Sequence, residues 1–353
     1  MKDIDLATQT MFAELLQRSL DAEFDEMFDV RGTFRRKKSK GRFYWHHQLR
    51  VGEKVLSRYV GPVTDKSITD RVNRFAQIKS DYKGRQEMVR ALAAAGLPTP
   101  DPLSGAVVQA MWRAGFFRLR GVLVGTLAYQ AYAGPLGARL AGRSLMTQDA
   151  DFAQFWGVSE NIDESIPPPL TILRTVDETF AEVSRIDDPF ISTQYRNSAG
   201  YRVDFLTPNR GSDDHQGRPA RMKALAGAGA QPLRHLDFLI HEPERSVLLC
   251  GGGVPVSVPR AERFAVHKLI VAVERRDQTK SGKDVAQAQA LIGTLCRKRP
   301  LELASAWQTA WDTGPRWREK LEAGRERLPE AARLALSDVL ERARLSRERR
   351  RPP

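Results

Sequence analysis

The feature that most constrains the fold is a pair of aspartates inside an apolar, strand-forming segment. The stretch TQDADFAQF, residues 147–155, places Asp149 and Asp151 two positions apart. Side chains two apart in a β-strand point to the same side, roughly 7 Å from each other. Two carboxylates so placed repel each other unless a cation lies beside them. A divalent metal ion is the cation we expect there.

A third aspartate stands in another apolar segment. In YRVDFLT, residues 201–207, Asp204 follows Asp149 by 55 positions. Carboxylate oxygens are the ligands that Mg²⁺ prefers, and two such ions about 3.5–4 Å apart serve displacements at phosphorus. We therefore predict Asp149, Asp151 and Asp204 as metal ligands and catalytic residues of a site for two Mg²⁺ ions. Asp204 is also the expected acceptor of a proton from an attacking hydroxyl.

A strand-to-helix turn precedes the aspartates. RLRGVLVG, residues 118–125, predicts a buried strand, and TLAYQAYAGPLG, residues 126–137, predicts a helix. A glycine at such a turn lets backbone amides approach a phosphate, and a helix N-terminus favours an anion. Gly125 and Thr126 are therefore predicted to position a triphosphate.

The whole pattern predicts an α+β fold, with a mixed sheet and helices in its core. Helices are expected over 5–29, 65–95 and 104–117, and over almost all of the chain beyond Arg260. Residues 191–206 are typical of a hairpin, and 235–258, which begins with HLDFLI, favours further hairpin structure. The predicted regions are an N-terminal helix (1–30), a basic aromatic β module (31–64), a helical connector (65–117), a catalytic core (118–260) and a C-terminal helical domain (261–353).

The β module carries an unusual concentration of positive charge. Residues 31–62 contain ten basic residues and one acidic residue, within a chain whose net charge is +13. Such a segment favours polyanions, although a solvated basic surface would look the same in sequence. Tyr44 and Trp45 lie among the charges and offer aromatic faces for bases, or a buried side of a small sheet. We predict RNA binding by residues 31–62.

Composition excludes several other classes of protein. The longest wholly aliphatic run, LIVAV at 269–273, is too short to span a bilayer. Two cysteines, Cys250 and Cys296, do not form a disulfide framework, and the start of the chain lacks the pattern of a signal peptide. We therefore expect a cytoplasmic protein that has no membrane partner.

Three stretches together resemble the motif of the DNA polymerase β-like nucleotidyltransferase superfamily: LVGT (123–126), QDADFA (148–153) and RVDFL (202–206). More narrowly, residues 123–137 and 147–155 are similar to uncharacterised bacterial nucleotidyltransferase-fold proteins, distantly like the nucleotidyltransferase toxins of abortive-infection systems. The resemblance covers roughly residues 115–290. Thr126 stands where that superfamily usually has Gly or Ser, and the interval from Gly125 to Asp149 is longer than is usual.

The resemblance implies transfer of NMP from an NTP to a hydroxyl, with release of pyrophosphate. It also implies a lysine that reaches the triphosphate from a later helix, which matches Lys268, with Arg275, Lys283 and Asp284 in the same region. The expected acceptor is RNA, and tRNA is one such class. Three alternatives stay open: an inactive fold used as a nucleic-acid-binding module, an enzyme that modifies protein side chains with AMP or UMP, and a toxin with an antitoxin partner.

Overall fold

The computed structural model describes residues 3–23, 32–39, 41–51, 54–140, 147–161, 164–183, 191–209 and 218–350. Its centre is a mixed seven-stranded sheet, and the α+β prediction is confirmed. The strands of this sheet are β4 (Val122–Val124), β5 (Asp149–Ala153), β6 (Ala181–Glu182), β7 (Gln194–Arg196), β8 (Arg202–Pro208), β9 (Ala220–Arg221) and β10 (Gly229–Leu233).

Strand β8 organises the sheet, whose main path runs β4-β5-β8-β10-β9. One edge of β8 pairs in parallel with the whole length of β5, from Arg202 to Leu206. The other edge pairs first with β7, antiparallel, and then with β10, in parallel. The antiparallel pairing of β7 and β8 confirms the predicted hairpin at 191–206.

The two faces of β8 differ because its residues alternate in character. Val203 and Phe205 are buried on one face, where Phe205 stacks on Phe152 of β5 with ring centroids 5.7 Å apart and meets Phe116 edge-on. Asp204 and Leu206 point to the opposite, half-buried face. Burial of the aromatic face fixes the register, because a shift by one residue would place the aspartates in the core.

Short helices connect and cover the strands. They are α3 (Pro102–Arg113), α4 (Gly125–Gln130), α5 (Trp156–Asn161), α6 (Pro169–Arg174) and α7 (Leu236–Ile240). The expected strand at HLDFLI is wrong, since residues 236–240 form α7, and the amide of Leu239 donates to the carbonyl of His235. A segment of six residues, four of them apolar, carries no usable period, and here the burial of its apolar residues on several sides suits a helix.

The C-terminal part is helical, as expected. It comprises α8 (Ala261–Glu274), α9 (Gln278–Lys298), α10 (Pro300–Asp312), α11 (Pro315–Glu326) and α12 (Glu330–Arg350). A hairpin of β11 (Glu244–Leu248) and β12 (Val254–Val258), predicted from the sequence, leads into α8. Along the chain, α8 follows this hairpin and precedes α9. Its residues Phe264, Leu269 and Ile270 are buried in the main core.

The N-terminal part contains α1 (Leu6–Glu23), a three-stranded sheet and the long helix α2 (Lys66–Ala94). The strands are β1 (Thr33–Ser39), β2 (Arg42–Val51) and β3 (Lys54–Pro62). The predicted helix at 5–29 is present up to Glu23; its remainder, 24–29, lies outside the described residues. The sequence did not predict β1, because its run TFRRKKS is dominated by charges that carry no strand signal.

The three-stranded sheet is attached to the first half of α2. Trp45 donates its indole N–H to Thr69, and Phe75 packs edge-on against Phe34 and His47. The second half of α2 packs on α1, where Arg18 binds Asp81. Trp45 therefore faces α2, as expected of the buried side of a sheet, and is unavailable for stacking on a base. In the described ranges, no helix is long and apolar enough to cross a bilayer.

Candidate active site

The three predicted aspartates lie on one face of the central sheet. Asp151 is directly opposite Asp204 in the parallel pairing of β5 and β8, and Asp149 is opposite Arg202. Because residues two apart in a strand share a face, all three carboxylates project from the polar side of the sheet. The sequence prediction that two strands supply three carboxylates to one surface agrees with this register.

Asp151 is the electrostatic centre of the group. Burial, together with the charges of Asp149 and Asp204, raises its pKa to about 7. Burial also raises the pKa of Asp204. The two carboxylates lack enough nearby positive charge to offset the cost of ionisation, which is the condition under which a bound cation is most strongly favoured.

Gly125 makes room for Asp151. It follows β4 directly, has a φ of +67°, and is adjacent to Asp151 because Val124 pairs with that residue. A Cβ atom at position 125 would lie 2.1 Å from Asp151 Oδ2, which is closer than any real contact. The glycine is therefore required twice, for its backbone conformation and for the space that the carboxylate occupies. Thr126 is buried at 8% exposure, and it is not among the residues that line the adjoining cavity.

Neutral side chains orient two of the three aspartates. Gln194 on β7 donates from Nε2 to Asp204 Oδ1 at 2.5 Å, and the Thr147 hydroxyl donates to Asp149 Oδ1. Arg202 Nη2 lies 3.8 Å from Asp149 Oδ2, an exposed and weak pair. Both oxygens of Asp149 are thus contacted, whereas these contacts leave Asp204 Oδ2 and both oxygens of Asp151 unbound.

The donor set suits a hard divalent cation, because it consists of carboxylate oxygens on one rigid sheet surface. Across the described ranges, however, no three His, Cys, Asp or Glu side chains are arranged as a ready-made ligand group for one ion. Carboxylates that repel one another favour side-chain positions that keep them apart.

A wall of positive charge faces the aspartates from helices α8 and α9. Lys268 Nζ donates to Asp284 Oδ1 at 2.5 Å, and Arg275 Nε donates to the other carboxylate oxygen of Asp284. Asp284 is only 2% exposed, so it ties α9 to both cations on α8. Lys268 and Arg275 also act electrostatically on Asp151. These predicted residues are thus brought to the site, where Asp284 holds the two cations.

Lys283 and Lys280 add positive charge on the α9 side. Burial lowers the pKa of Lys283, and Asp149 acts against that shift more strongly than any other charge. Lys280 interacts electrostatically with Asp204. Four cationic side chains therefore surround three carboxylates, an arrangement suited to a polyanion bound between them.

A cavity of about 540 Å³ adjoins these groups. Asp151, Asp204 and Gly125 border one end together with Lys268 and Arg275. The other end is bordered mainly by apolar side chains of β8, β10, α7 and α8: Leu206, Leu233, Leu236, Leu239, Phe264 and Val271. The volume lies within the range of ordinary small-molecule sites, and the combination of an ionic end and an apolar end suits a molecule with both characters.

Sequence reasoning missed several residues of this site. Arg202 could have been found, since it precedes Asp204 by two positions in one strand and must share its face. Gln194, Asn209 and His267 could not, because their approach depends on how β7, β10 and α8 are placed. Asn209 follows β8, and His267 precedes Lys268 on α8; both border the cavity.

Of the comparisons with known proteins, one gave a match. No curated protein and no solved structure gave a significant match. The sequence model of a family described as nucleotidyltransferase matches residues 103–312, which include every strand of the central sheet, α8 and α9. That match covers more than half of the chain, and it contains all three aspartates, Gly125 and the cationic wall. The chain therefore belongs to the nucleotidyltransferase family.

Proposed function

We propose that the protein transfers NMP from an NTP to a hydroxyl acceptor, with release of pyrophosphate. The observation that carries the proposal is the pairing of Asp151 with Asp204 beside Gly125, at the ionic end of a cavity walled by Lys268 and Arg275. A triphosphate fits between carboxylates and cations of this kind only when a divalent ion neutralises part of the charge. The proposal includes membership of the polymerase β-like superfamily, on the strength of the same residues.

Asp149, Asp151 and Asp204 would hold Mg²⁺, with two ions expected. When bound, Mg²⁺ neutralises the triphosphate and lowers the pKa of an attacking hydroxyl. Asp204 would touch the acceptor side and take up the proton of that hydroxyl, and Gln194 keeps one of its oxygens in place. Lys268 and Arg275 would bind the phosphates, and Gly125 and Thr126 would supply the backbone turn beside them.

RNA is the acceptor we propose, because of the charge on the outer face of the three-stranded sheet. Alternation along β1 and β2 places Trp45 and His47 against α2, and their neighbours Tyr44 and His46 on the opposite side. The exposed basic residues on that opposite side are Arg35, Lys37, Arg42 and Arg50. A flat basic surface with an aromatic ring at its centre suits a single-stranded nucleic acid.

Labelling tests the function directly. Purified protein, Mg²⁺ and each α-³²P-labelled NTP are incubated with total RNA, and Asp151→Asn and Asp204→Asn are run in parallel. We expect label on RNA with the wild type and a loss of at least about 1,000-fold in both variants, since metal ligands contribute several kcal/mol to the barrier. Label on protein instead of RNA would assign the acceptor to a polypeptide.

The second candidate function, nucleic-acid binding without chemistry, is favoured by the same basic face. It predicts no label from any NTP, together with RNA binding that is equal in wild type and Asp151→Asn and weakens steeply with salt. A toxin role predicts growth arrest on expression that Asp151→Asn abolishes, with relief by a neighbouring antitoxin. Equal growth of the two strains would remove the toxin from consideration.

A further inference from the structure

The apolar end of the cavity contains two polar atoms that lack partners. Among the residues that the structure describes, His267 Nδ1 and Asn209 Oδ1 are buried and make no hydrogen bond. Leaving such an atom unsatisfied costs roughly 1–3 kcal/mol, so each calls for an explanation. Both residues border the cavity.

Other polar groups at this end already have partners. Glu274 accepts hydrogen bonds from His235, at 3.2 Å, and from Lys320, and these bonds lower its pKa to about 2. The backbone amide of Asn209 donates to the carbonyl of Leu233 at 3.0 Å. Glu274 thus needs no ligand to satisfy its hydrogen bonds, whereas His267 Nδ1 and Asn209 Oδ1 have no partner among the described residues.

Helix α8 separates the two ends of the cavity by its own geometry. Lys268 on α8 and Arg275, the C-cap residue that follows this helix, form one stripe that leads to Asp284. Phe264, His267 and Val271 are spaced three and four apart and form the neighbouring stripe, which faces the apolar end. A molecule whose phosphates lie along the first stripe thus presents its remaining part to the second.

Burial lowers the pKa of His267 to about 3, so its imidazole is neutral at physiological pH. A neutral imidazole has one donor and one acceptor nitrogen, and a carboxamide has an acceptor oxygen and a donor nitrogen. The edge of a nucleobase carries donors and acceptors of the same kind, and its faces are apolar enough to pack against Phe264 and Leu236. No other part of an NTP combines these properties.

We propose that Asn209 and His267 read the edge of the nucleobase of the bound NTP and determine which of the four nucleotides the protein accepts. The inference rests on the proposed function, since it presumes that an NTP is the ligand. Phosphates would lie at the ionic end, and the base would occupy the apolar end. A site that satisfies buried polar atoms only with the correct base discriminates strongly against the others.

Binding of non-hydrolysable α,β-methylene analogues of ATP, GTP, CTP and UTP, measured calorimetrically with Mg²⁺, tests the proposal. We expect the wild type to prefer one analogue by at least about tenfold. Asn209→Leu and His267→Phe keep the approximate shape of the side chain and lose its polar atoms. Each should lower the affinity for that analogue about five- to tenfold and the affinity for the other three by less than about twofold. Thr207→Val is the matched control: Thr207 Oγ1 is also buried without a partner in the described residues, but it does not border the cavity, and selectivity should not change.

The outcomes separate this inference from the function on which it rests. If the wild type binds all four analogues equally, or if the variants lose all four equally, NTP binding stands and base recognition by Asn209 and His267 is overturned. If no analogue binds, the proposed function itself fails. Thermal unfolding identifies a folding defect: both variants should unfold no earlier than the wild type, because each removes an unsatisfied buried atom.

Discussion

Two aspartates of this protein, Asp284 and Asp151, have opposite surroundings. Asp284, between α8 and α9, is bound by the cations of Lys268 and Arg275. Asp151, on the central sheet, has two other carboxylates as its principal charged neighbours, and its pKa is raised to about 7. The first carboxylate is compensated within the fold and stabilises it; the second is costly to the fold and available to a ligand. A buried charge that the protein does not neutralise itself marks the place where a ligand supplies the neutralisation.

The largest effect on stability is expected from Asp284→Ala. Lys268 and Arg275 would lose their partner while Lys268 stays buried, and breaking a buried pair in this way costs about 3–5 kcal/mol. Urea denaturation measures the loss. Asp338→Ala, which breaks an exposed pair with Arg342 on α12, is the control and should change stability by less than about 1 kcal/mol. Equal effects of the two substitutions would contradict the contrast between the two aspartates.

Asp151→Asn should raise the free energy of unfolding, whereas Asp284→Ala should lower it. Because the folded-state pKa of Asp151 is raised from 3.8 to about 7, the folded protein takes up an extra proton between these values. Stability from this group is therefore greatest below pH 3.8, falls as pH rises, and is fully lost above about pH 7. The asparagine variant stays neutral, so its gain over the wild type should grow from near zero at pH 4 to as much as about 4 kcal/mol at pH 8.

Unfolding curves at several pH values in EDTA give this difference. Added Mg²⁺ should stabilise the wild type at pH 8 and leave Asp151→Asn nearly unchanged, since the variant lacks the ligand. Parallel pH profiles for wild type and variant would show that Asp151 is compensated after all, and the comparison with Asp284 would break down.

Gly125→Ala tests how tightly the Asp151 carboxylate is packed against the turn that follows β4. The added methyl group would meet Asp151 Oδ2, and the positive φ adds strain, so we expect a loss of about 1–3 kcal/mol by denaturation. Gly293→Ala is the matched control: its Cβ would meet nothing within 4 Å in the middle of α9, and the change should stabilise by about 0.5–1 kcal/mol. A neutral Gly125→Ala would mean that the carboxylate moves freely.

The smallest effect is expected from Arg275→Gln. Arg275 is 37% exposed, and Lys268 would still neutralise Asp284, so stability should fall by only about 0.5–1 kcal/mol. NTP affinity should fall more clearly, by about tenfold, because a phosphate contact is lost. If stability fell as far as in Asp284→Ala, Arg275 would be a structural partner of Asp284 and not a ligand-binding residue.

Sequence patterns were sufficient for the parts of the fold that depend on local order. The apolar run at 201–206 predicted the strand that carries Asp204, and helical spacing predicted α2, whose N-cap in the structure is Asp65. The hairpins and the C-terminal helices were also predictable from period and turn residues. These features depend on residues close together in the chain.

Other features depend on contacts between distant segments. HLDFLI became α7 because its surroundings bury it on several sides. The bond between Lys268 and Asp284 requires the packing of α8 against α9, and the placing of Asn209 and His267 at one cavity requires the packing of distant segments. Long-range placement of this kind has no local signal, so the ionic end of the site was predicted and the apolar end was not.

Helix α2 is the feature with the widest consequence. The three-stranded sheet is attached to its first half and the body of the protein to its second, within one uninterrupted helix of 29 residues. Each residue of an α-helix adds a rotation of about 100° around the helix axis and an advance of about 1.5 Å along it. A single insertion between Phe75 and Asp81 would therefore swing the basic surface about a quarter of a turn while hardly moving it outward. The number of residues in that short interval therefore sets the direction in which the β module faces relative to the rest of the protein.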